Sequence, residues 1–312
     1  MLYDVSIIIP VYNNERSISR CLDSIISQKT KFSFEVILVS DPCTDKTMEI
    51  IDTYIKKHPF IKNINVSSRV IGVARSVGID ASNGKYLMFI DADDYYSKNA
   101  IELMVSTLES TNSDIVSASN YYVRGSKISK NFFRKNKTYS RKGMLKALMQ
   151  DSYMHGFMWN KIYKAELLKN KNYALPKKNI IREDVLTNFQ VFLNANKLTM
   201  ISKPMYFYDK TYESTTSSKD FTRVPWFIDI FAIERYLIEK HEPTFQKMFL
   251  SLKNRRKLLI FGDKLIVKKG YSKEEYKKLK IYCKKYLKII NKKGTLELTN
   301  MPWESFIKDY LN

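Results

Sequence analysis

At 312 residues, 44% of them hydrophobic and 13% aromatic, the chain is long and apolar enough to bury a sizeable core, which excludes a disordered or low-complexity protein. Three scattered cysteines, Cys21, Cys43 and Cys283, exclude a disulfide framework and fit a reducing, cytoplasmic compartment; no stretch reaches a membrane span, and the start lacks the features of a signal peptide. A formal net charge of +21 keeps nucleic acid, anionic lipid and acidic polymers open as partners.

The β-branched run Val5–Ile9, stopped by Pro10, predicts a first buried strand, and 12–15 a loop. From Ser17, the residues Ile18, Cys21, Leu22, Ile25 and Ile26 recur at helical spacing with one apolar face. Residues 34–39 read as a second strand ending at Ser40-Asp41-Pro42, 45–55 as a helix, 64–66 as a third strand, and 72–79 as a helix holding two glycines. Strand and helix alternating at this spacing imply a parallel sheet with right-handed crossovers.

Residues 86–90 are a short apolar run that breaks into Asp91-Ala92-Asp93-Asp94. Acids at the C-terminal end of a buried strand lie where open α/β sheets bind ligands. Alternate carboxylates, Asp91 and Asp93, can converge on Mg²⁺ or Mn²⁺ carrying a diphosphate; a solvated acidic turn is the plain alternative. The loop at 13–15, Asp41, Arg75 and these acids should therefore meet on one sheet edge, the layout of a nucleotide site.

Residues 101–108 predict a helix and 114–118 a strand; 121–142 turn basic and irregular, an exposed loop or hairpin on the acceptor side. A helix over 183–192 opens on Glu183-Asp184, and the sheet pattern ends near Tyr206-Phe207-Tyr208. The chain thus divides into an α/β part, 1–210, and a helical, lysine-rich part, 211–312. Between Lys247 and Lys293 there are 17 Lys and Arg against 3 Asp and Glu. Leu279, Tyr282, Tyr286 and Ile290 leave one apolar stripe there that a homodimer could use.

The segments Val5 to Asn13, Asp41 to Asp45, Gly72 to Ile79 and Asp91 to Asp94, in this order, with Trp159-Asn160-Lys161 and Glu183-Asp184, resemble glycosyltransferase family 2 over roughly residues 3 to 210. The resemblance implies a GT-A fold: a Rossmann-like, mostly parallel sheet flanked by helices, here with a basic helical add-on. It implies that Pro10, Tyr12, Asn13 and Glu15 frame a nucleoside, that Asp41 accepts from the uracil ring nitrogen, and that Arg75 contacts the nucleotide or diphosphate. Asp93 would be the direct metal ligand, with Asp91 nearer the ribose or a metal-bound water. Asp184, ahead of Glu183, would be the base of an inverting transfer of a hexose or N-acetylhexosamine from a UDP-sugar to a glycan on lipid or protein. Where relatives often carry Asp-Asp-Gly-Ser-Thr-Asp, this chain has Ser40-Asp41-Pro42-Cys43-Thr44-Asp45, and Ala74-Arg75-Ser76 replaces Ala-Arg-Asn.

Plainer readings stand beside these. Glu183-Asp184 are also the acids a helix start favours, Arg75 could pair with an acid, and Trp159 could be a core ring instead of a sugar platform. His155 could complete the metal site or be structural. The basic C-terminal part fits a solvated face, docking on anionic lipid, or a partner glycosyltransferase, with nucleic acid less favoured. A basic nucleic-acid or membrane binding module on a non-catalytic transferase-like fold is the alternative of a different class. A nucleotidyltransferase would need a Gly-rich loop near the first strand, which is not seen.

Overall fold

The computed structural model describes residues 2–131, 133, 135–150, 156–170 and 183–211, which belong to one compact unit. Apart from Thr211, the C-terminal segment expected to be basic and helical lies outside the described residues, as does His155. Among the described residues no helix is long and apolar enough to cross a membrane.

Strands β1 (Tyr3–Val11), β2 (Phe34–Ser40), β3 (Ile61–Asn65) and β4 (Gly84–Phe89) alternate with helices α1 (Ile18–Ile26), α2 (Thr47–Lys57) and α3 (Ile71–Ala81). They pair in parallel in the order β3-β2-β1-β4. Both faces of β1, β2 and β4 are covered, which is why they read as apolar runs. Val5, Ile7 and Ile9 pack toward Ile18 and Leu22 of α1 and Ile51 of α2, while Ile37 and Val39 pack with Ala74 of α3 on the other face. Winding thus reverses between β1 and β4, and the crevice beyond their C-terminal ends is the ligand position of such sheets.

The sheet then becomes mixed. After the two-residue strand β5 (Tyr95–Tyr96) and α4 (Ala100–Thr111) come β6 (Ile115–Arg124), β7 (Lys127–Asn131), β8 (Lys137–Ser140) and α5 (Arg141–Gln150). Strand β9 (Lys161–Lys164), α6 (Ala165–Lys169), α7 (Glu183–Asn194) and β10 (Lys197–Asp209) follow. Beyond β4 the order continues β9-β6-β10-β5, with β7 on β6 and β8 on β10. Strand β9 runs antiparallel to both its neighbours, and β6 and β10 are parallel.

Three expectations shift. Pro10 does not end β1, because pairing with β4 has finished by Ile8 and only β2 continues alongside. The third strand begins at Ile61, three residues early, since Lys62 and Asn63 interrupt its apolar pattern on a sheet edge. The third expectation is narrowed: of the loop or hairpin expected over 121–142, the hairpin forms, with β6 extending to Arg124 and β7 folding back on it through Gly125 at φ +58°. Exposed lysines on such edge strands erase the period-2 signal while discouraging edge-to-edge pairing.

Gly84 opens β4 hard against β1: a Cβ there would lie 2.4 Å from the Ser6 nitrogen and 2.7 Å from the Val5 carbonyl carbon. Backbone of a central strand cannot give way. Gly84→Ala should cost about 3 kcal/mol, read as a lowered urea midpoint with an unchanged denaturant slope.

Candidate active site

The acids after β4 divide into one that turns inward and two that do not. Asp94 is fully buried; it accepts the Tyr206 hydroxyl at 2.5 Å and the Asp209 N–H at 2.7 Å. The same Tyr206 oxygen accepts the Asp91 N–H at 3.2 Å. The third aspartate therefore ties the acidic turn to β10. Burial and the charges of Asp93 and Asp91 push its carboxyl well up, against the bonds from Tyr206 and Asp209. Asp93 is gripped through its backbone: its carbonyl accepts Arg20 Nη2 at 2.8 Å, while Arg20 Nη1 lies 2.7 Å from Asp209. Burial, then the neighbouring charges of Asp91 and Asp209, raise the Asp93 carboxyl to about 6, partly opposed by Arg20.

Arg75 connects this turn to α7. Its side chain is 2% exposed, with Nη2 3.2 Å from Asp91 Oδ1 and Nη1 2.6 Å from Glu183 Oε1. Burial opposes the guanidinium charge, and Glu183, Asp91 and Asp184 outweigh it, so the pKa moves up. Arg75 thus forms a buried bridge between two acids, not a pair with one acid at the surface. Asp184, the next residue of α7, is 9% exposed and accepts the Val185 N–H at 2.8 Å. A helix start suits both carboxylates electrostatically.

On the other side of the crevice, Asp41 accepts the Arg69 N–H at 2.7 Å, with Arg69 at φ +52°. The Arg69 guanidinium lies 5.5 Å from the centre of the Tyr12 ring, which is 43% exposed. Asn13, also at φ +52°, exchanges hydrogen bonds with Thr44, and Glu15 accepts the Lys46 N–H at 3.1 Å. These two side chains hold the loop after β1 to the start of α2. Tyr12 is exposed beside them, and Asp41 is 5% exposed.

The model of glycosyl transferase family 2 matches residues 6–172, more than half of the chain. The chain belongs to that family. TarS, the poly(ribitol-phosphate) beta-N-acetylglucosaminyltransferase of Staphylococcus aureus, is 26% identical over 254 residues, 79% of this chain and 43% of TarS. EpsJ of Bacillus subtilis, an uncharacterized glycosyltransferase, is 29% identical over 219 residues, 68% of this chain and 62% of EpsJ. The chain thus spans less than two thirds of either relative. The structure of S. aureus TarS 1–349 with UDP-GlcNAc matches with a TM-score of 0.73 at 22% identity, over 91% of this chain and 81% of that one. The mannosyltransferase PcManGT from Pyrobaculum calidifontis, in complex with GDP-Man and Mn²⁺, matches at 0.56 and 18% identity, over 91% and 85%. The fold is GT-A.

In this family 2 chain Trp159 is a core ring, 5% exposed and stacked on Phe157, Tyr206 and Tyr208 at centroid distances of 4.7, 4.4 and 5.4 Å. Phe157 stays half-buried. Arg20, Tyr206 and Asp209 hold the acidic turn, yet no motif marks them in the sequence. Among the described residues no three His, Cys, Asp or Glu side chains gather as a metal site, so Asp91 and Asp93 stand as a pair.

Arg75→Met should destabilise the fold by about 3 kcal/mol or more, because Asp91 and Glu183 then face each other across a buried gap. Arg75→Lys should recover only part of that loss, since one ammonium lacks the fork that spans both acids. Chemical unfolding of the three proteins checks both.

Proposed function

We propose that the chain is an inverting transferase that moves a hexose or N-acetylhexosamine from a UDP-sugar to a hydroxyl of a growing surface glycan or polyol-phosphate polymer. The observation that carries this reading is the Arg75 bridge, which joins the Asp91–Asp93 turn to the start of α7 and so sets diphosphate chemistry beside a carboxylate pair. Asp184 takes the proton of the acceptor hydroxyl as that oxygen forms its bond to the anomeric carbon, and the bond from that carbon to UDP breaks on the opposite face. With Glu183 engaged by Arg75, Asp184 is our choice of base. Tyr12 offers its ring face to the uracil and Asp41 an oxygen to the ring N–H.

The residues present fit Mg²⁺ or Mn²⁺. Two hard carboxylates that repel one another, Asp93 being raised to about 6, suit a cation that draws its other donors from substrate phosphates. When bound, it supplies positive charge against the leaving diphosphate. Asp93 would be the direct ligand, with Asp91 also committed to Arg75. The choice of UDP draws support from the UDP-GlcNAc complex of TarS, and that of a surface polymer from the name of the same relative. We read the basic C-terminal segment as a peripheral contact with anionic lipid, or with a partner glycosyltransferase, on the cytoplasmic side of the membrane.

Incubation with Mn²⁺ and UDP-GlcNAc, UDP-GalNAc, UDP-glucose or UDP-galactose should release UDP from one of them, with water as a slow acceptor. Asp184→Ala should keep UDP binding and lose roughly 10²-fold or more in turnover; Asp93→Ala should lose metal dependence. No turnover and no metal-linked UDP binding would sink the proposal.

Since a carboxylate must lose its proton to bind a cation, Mn²⁺ affinity should hold above pH 6 and weaken as pH falls through the value of about 6 set for Asp93. Titration calorimetry at pH 7.5 and 5 (about 1.5 units above and 1 below) reads the difference.

A further inference from the structure

Two buried phenols stand under the acidic turn. Tyr96 of β5 and Tyr206 of β10 pair across their strands with rings edge to face, 5.6 Å apart, and are 5% and 1% exposed. Tyr96 donates its hydroxyl to the carbonyl of Phe89, the last residue of β4, at 2.9 Å. Tyr206 serves the turn itself, where its hydroxyl donates to Asp94 and accepts the Asp91 N–H. The Asp94 N–H closes the turn on the Asp91 carbonyl at 3.0 Å. None of these bonds uses the carboxylate of Asp91 or Asp93.

A phenylalanine at 206 would fill the same ring volume without the cost of burying a hydroxyl. What the hydroxyl adds is its two bonds, one to each end of the turn. The ring that carries it is stacked at 4.4 Å on Trp159, in a strand paired with β5 on one side and β6 on the other, so packing from below fixes where the oxygen lies. A small divalent cation demands close placement of its ligands, and the groups that hold those ligands govern its affinity.

We propose that Tyr206 is a positioning residue for the cation that accompanies the UDP-sugar: its hydroxyl sets the Asp91 amide and, through Asp94, the far end of the turn, so that Asp91 and Asp93 are arranged before a cation arrives. This rests on the transferase reading above. Tyr96 is the internal comparison. Its hydroxyl is buried in the same way, yet it holds the end of β4 and bonds to no residue of the acidic turn.

Tyr206→Phe and Tyr96→Phe are compared with the wild type by calorimetric Mn²⁺ titration in the presence of UDP, and by UDP release from the UDP-sugar that the wild type hydrolyses. Both variants lose a buried hydrogen bond, and only one of them loses a bond to the acids. Tyr206→Phe should weaken Mn²⁺ binding roughly tenfold, and about tenfold more Mn²⁺ should restore its turnover. Tyr96→Phe should bind Mn²⁺ within about twofold of wild type. Unchanged Mn²⁺ affinity in Tyr206→Phe, or an equal loss in both variants, overturns the proposal alone; a wild type with neither turnover nor metal-linked UDP binding removes the transferase reading with it. Should Tyr206→Phe not fold, hydrogen exchange of the Asp91 amide in wild type labelled with ¹⁵N-aspartate decides. That amide should be protected without metal and stay so when Mg²⁺ and UDP are added, whereas protection that arises only on their addition refutes a turn arranged in advance by Tyr206.

Discussion

A guanidinium with 2% exposure is tolerable only if carboxylates surround it, and Arg75 collects its partners from two distant places in the chain: Asp91, 16 residues on, and Glu183, 108 residues on. Because desolvation of an unpaired charge is so costly, the pairing works as a constraint on geometry more than as a source of stability. The planar fork of arginine spans two acids at once, which a single ammonium does not. The end of β4 and the start of α7 are held at one separation as a result. A catalytic arrangement across these elements depends on that separation.

Around this bridge the charges follow one logic. Asp91, Asp93, Glu183 and Asp184 crowd the crevice of a chain whose overall charge is +21. Arg75 is shared between two of these acids, and Arg20 grips the Asp93 backbone. Under the proposed function, an anionic nucleotide diphosphate would meet a local field of its own sign, and a divalent cation would turn that repulsion into attraction. Asp94 and Tyr206 anchor the turn from beneath.

Much of the fold was legible. Strands β1, β2 and β4 are buried on both faces, and helix α1 on one, so their apolar residues stand out as runs and stripes. Strand β3 was displaced in the reading because Lys62 and Asn63 sit on an edge where solvent relaxes the demand for apolar residues. The same holds for β7 and β8, whose lysines left loop and hairpin both open. In the crevice, Asp91, Asp93 and the Glu183-Asp184 pair were visible as acids at element ends. Arg75 was visible as a residue, yet its inward course was not. Asn13 and Glu15 were visible as loop residues, yet that their side chains also brace the loop against the start of α2 was not.

By itself the sequence determined the alternation of the first strands and helices and placed hard-oxygen groups at the end of β4, because burial periodicity and carboxylate spacing are local properties. Only the tertiary structure decided which charges meet. Asp94 turns in while its neighbours do not because Tyr206 and Asp209 arrive from β10; Trp159 joins the core because three rings close around it; Arg75 bridges two acids because α7 brings Glu183 to the end of β4. Electrostatic energy depends on distance through space and on exclusion of water, and neither can be counted along a chain.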